Sequence, residues 1–254
     1  MNNQFSKHSK TFFFLLSFTI ISLVPSQKSY GQAAIVALIF GDKVATENFN
    51  ISLELGGNFC SISNITHLKR KYGLNFGIAG NIKLSNNWFL SPTAYFVSKR
   101  TFDLDSYSLE TGNISIDDQF KDKSATFLLN YIDVPILLCY QTNNNKYRFG
   151  IAPQISFLTS SYITLHGDQG EFVEDYKDNT NSIDYGIMAN IGYSLGEARK
   201  GKGVFVQLRY YQGLADVFTD ALSTSNNNAS YFAVHLSLPF VTDEIANKKL
   251  KLKN

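Results

Sequence analysis

The chain has 254 residues, of which 44% are hydrophobic and 17% charged, and its formal net charge at pH 7 is +2. This near-neutral balance excludes a dedicated nucleic-acid-binding protein, because contact with a phosphate backbone requires a clustered basic surface. The length suits a single domain once an N-terminal export signal is set aside.

The first 31 residues are typical of a secretory signal peptide. Lys7 and Lys10 make the start basic, residues 11–24 form an apolar run of fourteen residues, and small residues at 29 and 31 precede a cut before Gln32. The alternative is an uncleaved membrane anchor, but the run is shorter than the roughly 20 apolar residues that a spanning helix needs. Residues 1–31 are therefore predicted to be removed on export.

The segments that flank the predicted domain are short. Removal of residues 1–31 takes away three lysines and no acid, which leaves 20 basic and 21 acidic residues. Residues 32–49 are predicted to form a periplasmic N-terminal segment, and residues 242–254, with four lysines, a periplasmic tail. A partner contact at this basic tail is an open alternative.

Alternating apolar and polar residues predict eight strands between residues 50 and 241. The connections between them hold 11, 3, 20, 5, 21, 6 and 15 residues, so that long and short connections alternate. Short periplasmic turns and long extracellular loops are typical of transmembrane barrels. The sequence thus predicts an all-β, eight-stranded antiparallel up-and-down transmembrane β-barrel in the cell outer membrane, with strands at about 50–60, 72–84, 88–103, 124–140, 146–160, 182–196, 203–214 and 230–241.

One parity of each strand is apolar and is predicted to face lipid. The strand at 124–140, for example, gives Ile132, Val134, Ile136 and Leu138. Aromatic residues of this parity are predicted to form two belts at the membrane interfaces. The belt beside the short turns contains Trp88, Tyr140, Tyr147, Tyr193 and Phe240, and the belt toward the long loops contains Phe59, Tyr72, Phe102, Phe157, Tyr185 and Phe232.

A soluble eight-stranded barrel of the lipocalin type is the alternative architecture, with the apolar parity turned inward around a ligand. Parity alone does not distinguish inside from outside. The export signal, the aromatic belts and the alternating connection lengths together favour the membrane.

The opposite parity carries charged residues that are predicted to fill the lumen, including Lys99 and Asp184. An eight-stranded barrel has an interior just wide enough for side chains, and unpaired charges there are costly. We therefore expect a polar plug in which Glu54 pairs with Lys83 and Asp133 pairs with Arg148. Arg209 and His235 complete the predicted polar network.

Candidate catalytic residues are few. His235 and Ser237 share a face and could in principle serve acyl transfer, but a structural histidine is the preferred interpretation. His67 and His166 lie in separate long connections without the spacing of metal ligands. The sequence predicts no catalytic, cofactor-binding or metal site.

Cys60 and Cys139 are predicted to remain unbridged. The barrel places them at opposite rims, about 20 Å or more apart at about 3.3 Å per residue, which is beyond disulfide reach.

Five segments stand out by their order and spacing, at residues 34–43, 131–138, 149–153, 184–186 and 209–214. Together they resemble the PorT-like outer-membrane β-barrel family of Bacteroidota. Pro135 lies in one of them and, because proline lacks a ladder donor, predicts a local bulge or irregularity in its strand. Phe240, which closes an alternating strand, resembles the terminal signal read by the barrel-assembly machinery.

The resemblance implies a non-enzymatic outer-membrane component, since some members of that family support protein secretion or gliding. The expected partners are outer-membrane lipid, the barrel-assembly machinery during insertion, and envelope or secretion proteins; no nucleic acid or cofactor is expected. The first hypothesis is a structural or interaction protein that acts through its long loops. The alternatives are a lipid-modifying barrel enzyme and a narrow channel or small-ligand carrier.

Overall fold

The computed structural model describes residues 48–108, 112–168, 170–197, 202–219 and 226–240. The predicted signal peptide (1–31), nearly all of the predicted N-terminal segment (32–49) and the predicted tail (242–254) lie outside these ranges. Within them, no helix has the length and apolar character needed to cross a membrane.

Ten strands and two short helices make up the described structure. A six-residue α-helix, α1 (Ile114–Gln119), and a 3-10 helix (Lys177–Asn179) lie in two of the long connections. The strands are β1 (Phe49–Ile62), β2 (Leu68–Arg70), β3 (Tyr72–Lys83), β4 (Trp88–Tyr107), β5 (Lys123–Gln141), β6 (Tyr147–Gly167), β7 (Gly170–Asp175), β8 (Ile183–Glu197), β9 (Lys202–Asp216) and β10 (Asn228–Pro239).

Eight of these strands form a closed antiparallel ring in chain order. β1 pairs with β3 on one side and with β10 on the other, so that Phe59 lies opposite both Tyr72 and Phe232. The predicted all-β, eight-stranded up-and-down barrel is confirmed. Sequence patterns missed β2 and β7, which are short strands inside two of the long connections.

The ring is tall on one side. β4, β5 and β6 have 20, 19 and 21 residues, whereas the other five ring strands have 12 to 15. The extra length rises toward the long connections, and there β7 pairs with the end of β6, with Leu165 opposite Phe172. We call this part, residues 102–108, 112–129, 161–168 and 170–176, the extracellular extension, because the sequence predicts that the long connections are extracellular.

The side-chain pattern inverts between the barrel and the extracellular extension. In the barrel, the inward side chains of β4 to β6 are mainly polar and the outward ones are apolar, as at Ile136 and Ile151. In the extension the outward residues are mainly polar, as at Asp103 and Thr126. The inward residues of the extension form a buried apolar core of Phe102, Leu104, Ala125, Phe127, Leu129, Ile163 and Leu165.

Two bulges set which residues face inward. The pairing of β4 with β5 shifts between Tyr95 and Ser98, and the pairing of β5 with β6 shifts at Asn130 and Tyr131. A bulge adds one unpaired residue and so reverses the parity beyond it. The irregularity expected at Pro135 is wrong, because the register of β5 with β6 is the same at Asp133, at Pro135 and at Leu138.

The aromatic belts are largely as expected. Trp88 and Tyr140 form an exposed ring pair beside the short turns, with centroids 5.3 Å apart. Phe59 and Phe232 are 51% and 60% exposed toward the other interface. The prediction that Phe102 belongs to a belt is wrong, because the bulge in β4 turns Phe102 into the core of the extension, where it is fully buried. Phe240 is also buried rather than exposed.

Candidate functional site

The upper polar layer of the lumen is centred on Arg100. Its guanidinium contacts an oxygen of Asp133 at 3.1 Å and one of Asp184 at 2.5 Å, and all three side chains are 1% exposed or less. Arg100 also donates to the Ser156 hydroxyl at 2.9 Å. Charge-assisted contacts of this kind are the strongest hydrogen bonds available to a side chain.

Tyrosines enclose this layer. The Arg100 guanidinium carbon lies 4.1 Å from the centre of the Tyr131 ring, and the Tyr211 hydroxyl donates to Asp184 at 2.9 Å. Tyr211 stacks on Tyr231 with centroids 4.9 Å apart. A cation beside ring faces gains electrostatic attraction when water is excluded, so the tyrosines hold the arginine in place across the lumen.

The lower polar layer is centred on Arg209. Its guanidinium contacts Glu54 at 3.1 Å and donates to the Asn190 and Gln207 side-chain oxygens at 3.2 and 3.0 Å. It also donates to the Tyr95 hydroxyl. Four strands, β1, β4, β8 and β9, are thereby tied together at this height.

Arg148 is a second cation in the lower layer. It donates to Asn81 at 3.2 Å and to Gln141 at 3.1 Å, and its guanidinium carbon lies 4.3 Å from the centre of the Phe205 ring. Among the described residues no carboxylate is within ion-pair distance of it. Amide oxygens and ring faces therefore hold its charge.

The two layers carry opposite net charges. The upper layer holds one arginine and two aspartates, and the lower layer holds two arginines and one glutamate. Opposite charges attract more strongly where water is excluded, so each layer offsets the excess of the other. The cavity that Glu54, Arg148 and Arg209 help to line has a volume of only about 10 Å³, which is about the room one water needs.

The expected ion pairs are wrong. Glu54 pairs with Arg209 and not with Lys83, which lies half-buried at the short-turn end of β3. Asp133 pairs with Arg100 and not with Arg148. Glu54 reaches Arg209 past the intervening strand β10, and a bulge in β4 turns Arg100 inward beside Asp133 of the adjacent strand β5.

Sequence reasoning missed Arg100, the centre of the upper layer. A continuous alternation through β4 places Lys99 inward and Arg100 outward, but the bulge after Tyr95 reverses both. Lys99 is exposed and Arg100 is fully buried. The run Phe96-Val97, two consecutive apolar residues where the alternation breaks, is the signal that could have located the bulge.

His235 does not form a catalytic pair. It is 1% exposed and stands edge-on to Tyr95, with ring centroids 5.1 Å apart. Neither of its ring nitrogens has a hydrogen-bond partner. Glu54 lies directly opposite Ser237 in the β1–β10 register, so a carboxyl group is present at the same level of the barrel as the candidate serine. A nucleophile must nevertheless contact its base, and here serine and histidine share no hydrogen bond.

Cys60 and Cys139 are free, buried thiols. Among the described residues no group of histidine, cysteine, aspartate and glutamate side chains could hold a metal ion. The lumen is thus a set of hydrogen-bonded charges enclosed by side chains.

Comparisons with known proteins agree with this architecture. A family model described as "Outer membrane protein beta-barrel domain" matches residues 30–219. No curated protein sequence matches significantly.

Several solved outer-membrane proteins resemble the chain at low identity. Neisserial surface protein A is 12% identical, with a TM-score of 0.39, over 75% of this chain and 96% of its own. Ail of Yersinia pestis is 8% identical, with a TM-score of 0.40, over 76% and 98%. OprG of Pseudomonas aeruginosa is 10% identical, with a TM-score of 0.39, over 77% and 97%.

Proposed function

Because the chain belongs to the outer membrane protein beta-barrel domain family and lies in the outer membrane, we propose that it is a non-enzymatic structural or interaction component there. Its working surface is the extracellular extension with the long loops, and its partners are envelope or secretion proteins. The barrel serves as the rigid support, which is how loops on a stable scaffold usually acquire binding roles.

The closed lumen is the observation that carries this proposal. The two charged layers cross the barrel at two heights, and the apolar core of the extension covers the upper one. The charged side chains are buried and packed against one another and against aromatic rings, which leaves little space for solute passage. A barrel without a passage must act through its outer surfaces.

The exposed edge of β7 is the best candidate contact surface on the extension. β7 pairs with β6 on one side, and no other described strand pairs with its second edge. Val173 on this strand is 60% exposed, and Glu171 and Asp175 flank it on the same face. An unpaired strand edge above the membrane can accept a strand of another protein.

In-cell photo-crosslinking tests the interaction role. A photoreactive residue replaces Val173 in one variant and Ile191, an outward residue of β8 in the lipid band that is 53% exposed, in a matched control. We expect a discrete protein adduct at position 173 and none at position 191. Adducts at neither position, or equal adducts at both, would contradict a role for the extension.

Conductance in planar bilayers tests the channel or carrier alternative. The purified, folded chain is expected to insert without stepwise current at salt concentrations where an open porin conducts. Reproducible ohmic steps would show that the lumen opens, and the narrow channel would then replace the interaction component as the function.

A further inference from the structure

A cleft opens on the outer face of the barrel between β1, β2, β9 and β10. Its volume is about 310 Å³. It is lined by four aromatic residues, two serines and one arginine: Phe59, Tyr210, Tyr231, Phe232, Ser61, Ser230 and Arg70. The side chains of Phe59, Tyr210 and Phe232 point outward, which places the cleft on the outer face. Tyr231 is buried, points into the lumen and stacks there on Tyr211.

The cleft lies at the height of the outer membrane interface. Phe59 pairs with Phe232, and Tyr210 also pairs with Phe232, at the level of the upper aromatic belt. The next outward residues along these strands are Ser61 and Ser230, which face each other. Aromatic side chains favour the headgroup level of a bilayer, so the lower wall of the cleft contacts acyl chains and its upper wall contacts headgroups.

Arg70 supplies a charge that no described carboxylate neutralises. The adjacent Lys69 contacts Asp105 at 2.6 Å and Lys71 contacts Asp103 at 3.0 Å. Arg70, between them, is exposed and forms no ion pair among the described residues. Its guanidinium is therefore the one cation of this three-residue run that is available to an anion in the cleft.

We propose that this cleft binds the phosphate headgroup of a lipid in the outer leaflet. Arg70 contacts the phosphate oxygens, which a guanidinium fork matches in pairs, and Ser61 and Ser230 offer hydroxyl donors at the same level. Phe59, Tyr210 and Phe232 pack against the upper part of the acyl chains. The site goes beyond the proposed interaction role and does not depend on it.

The position of the cleft favours a lipid over an acidic peptide. Its aromatic wall faces the hydrocarbon, where an extended peptide would leave backbone groups without hydrogen-bond partners. A lipid brings its charge to the headgroup level and its apolar chains to the rings, which matches the order of groups along the cleft.

Lipid titration followed by native mass spectrometry tests the proposal on the full chain folded in detergent micelles. The probes are phosphatidic acid, diacylglycerol with the same acyl chains but no phosphate, and inorganic phosphate alone. We expect phosphatidic acid to bind about tenfold more tightly than diacylglycerol, as one charge-assisted pair would give. Binding of inorganic phosphate alone as tight as that of phosphatidic acid would overturn a lipid site.

Variants assign the binding to the cleft. Arg70→Gln is expected to lower the affinity for phosphatidic acid about tenfold, and Lys69→Gln, which removes the neighbouring cation, by less than about twofold. Equal losses in both variants would indicate diffuse surface charge and overturn the proposal, as would an unchanged affinity in Arg70→Gln.

A second variant guards against a folding defect in Arg70→Gln. Ser61→Phe fills the cleft from a lipid-facing position and keeps the charge. It is expected to abolish the preference for phosphatidic acid over diacylglycerol while the barrel still shows heat-modifiable migration on gels. Retention of the preference with the cleft filled would overturn the assignment.

Discussion

The barrel and the extracellular extension share the strands β4, β5 and β6 but have opposite interiors. Where β4 to β6 lie in the membrane, their inward side chains include Arg100, Asp133 and Ser156. Where the same strands rise above it, their inward side chains include Phe102, Phe127 and Ile163. On β4 the change takes place between Arg100 and Phe102, two consecutive inward positions.

The difference shows that the surroundings of a strand decide what its interior must be. In lipid the outer face must be apolar. The specific side-chain pairing of the barrel therefore comes from the polar lumen, where oppositely charged side chains bind one another across the ring. In water the outer face is polar and burial of apolar area stabilises the inside, as in any soluble domain. The two regions should therefore respond differently to substitution.

Among the substitutions considered for the polar lumen, removal of the Arg100 side chain should lower the free energy of unfolding most. Arg100→Ala leaves Asp133 and Asp184 buried without their cation, and breaking a buried ion pair costs about 3–5 kcal/mol. We expect at least this loss in the free energy of unfolding, measured by urea titration in micelles with heat-modifiable migration as the folded-state signal. Lys99→Ala, at the exposed neighbouring residue, is the matched control and should change stability by less than about 0.5 kcal/mol. Equal stabilities of the two variants would refute the central role of Arg100.

Truncation of Phe127 tests whether the extension is a separate cooperative region. Phe127 is fully buried and stacks on Phe102 with centroids 5.0 Å apart, and Phe→Ala in a core costs about 3–5 kcal/mol. We expect amide exchange to rise in the extension while the lumenal strands keep their protection and the protein stays heat-modifiable. Leu128→Ala, on the outward face of the same strand, serves as the control. If exchange rose equally throughout the barrel, the two regions would be a single unit.

Neutralisation of Glu54 gives a graded test of the lower layer. Glu54→Gln keeps an acceptor for Arg209 but removes the only carboxylate that the described structure places beside the two lower arginines. A hydrogen bond to a charged group contributes about 1.5–3 kcal/mol, so we expect a loss of about 2 kcal/mol in urea titration. The double variant Glu54→Gln with Arg209→Gln should recover part of it, and a fully additive double variant would speak against the pair.

The smallest expected effect is a pH dependence of the stability of the extension, caused by the Glu174 carboxyl. Burial and then the nearby Asp117 carboxylate raise the pKa of the Glu174 carboxyl above its usual value of 4.5. A raised folded-state pKa favours the folded extension below the unfolded value, and this contribution is lost as the pH rises through the folded value. Protection factors of β7 amides, corrected for intrinsic exchange, should therefore fall as the pH rises from about 4.5. In Glu174→Gln this fall should vanish, and an unchanged pH profile would exclude the carboxyl as its source.

The outward face was readable from the sequence because it depends only on local alternation. The alternation predicts that Ile136, Leu138 and Ile191 face lipid, and these side chains are 40 to 53% exposed on the outer surface. The lumen was less readable, since Glu54 and Arg209 are 155 residues apart in the chain. Their contact depends on the stagger and closure of the ring, which no local pattern contains.

The sequence by itself determined the number and order of the ring strands, the alternation of short and long connections, and the lipid-facing parity, because each follows from hydrogen-bonding and hydrophobic patterns within a few residues. Only the tertiary structure decided that Arg100 and not Lys99 enters the lumen, which carboxylates it meets, and that the strands continue into an apolar extracellular core. One physical reason is that an extra residue in a bulge reverses the inward and outward parity of all the following residues in the strand. The other is that a buried charged side chain pairs with the group that the closed ring places opposite it.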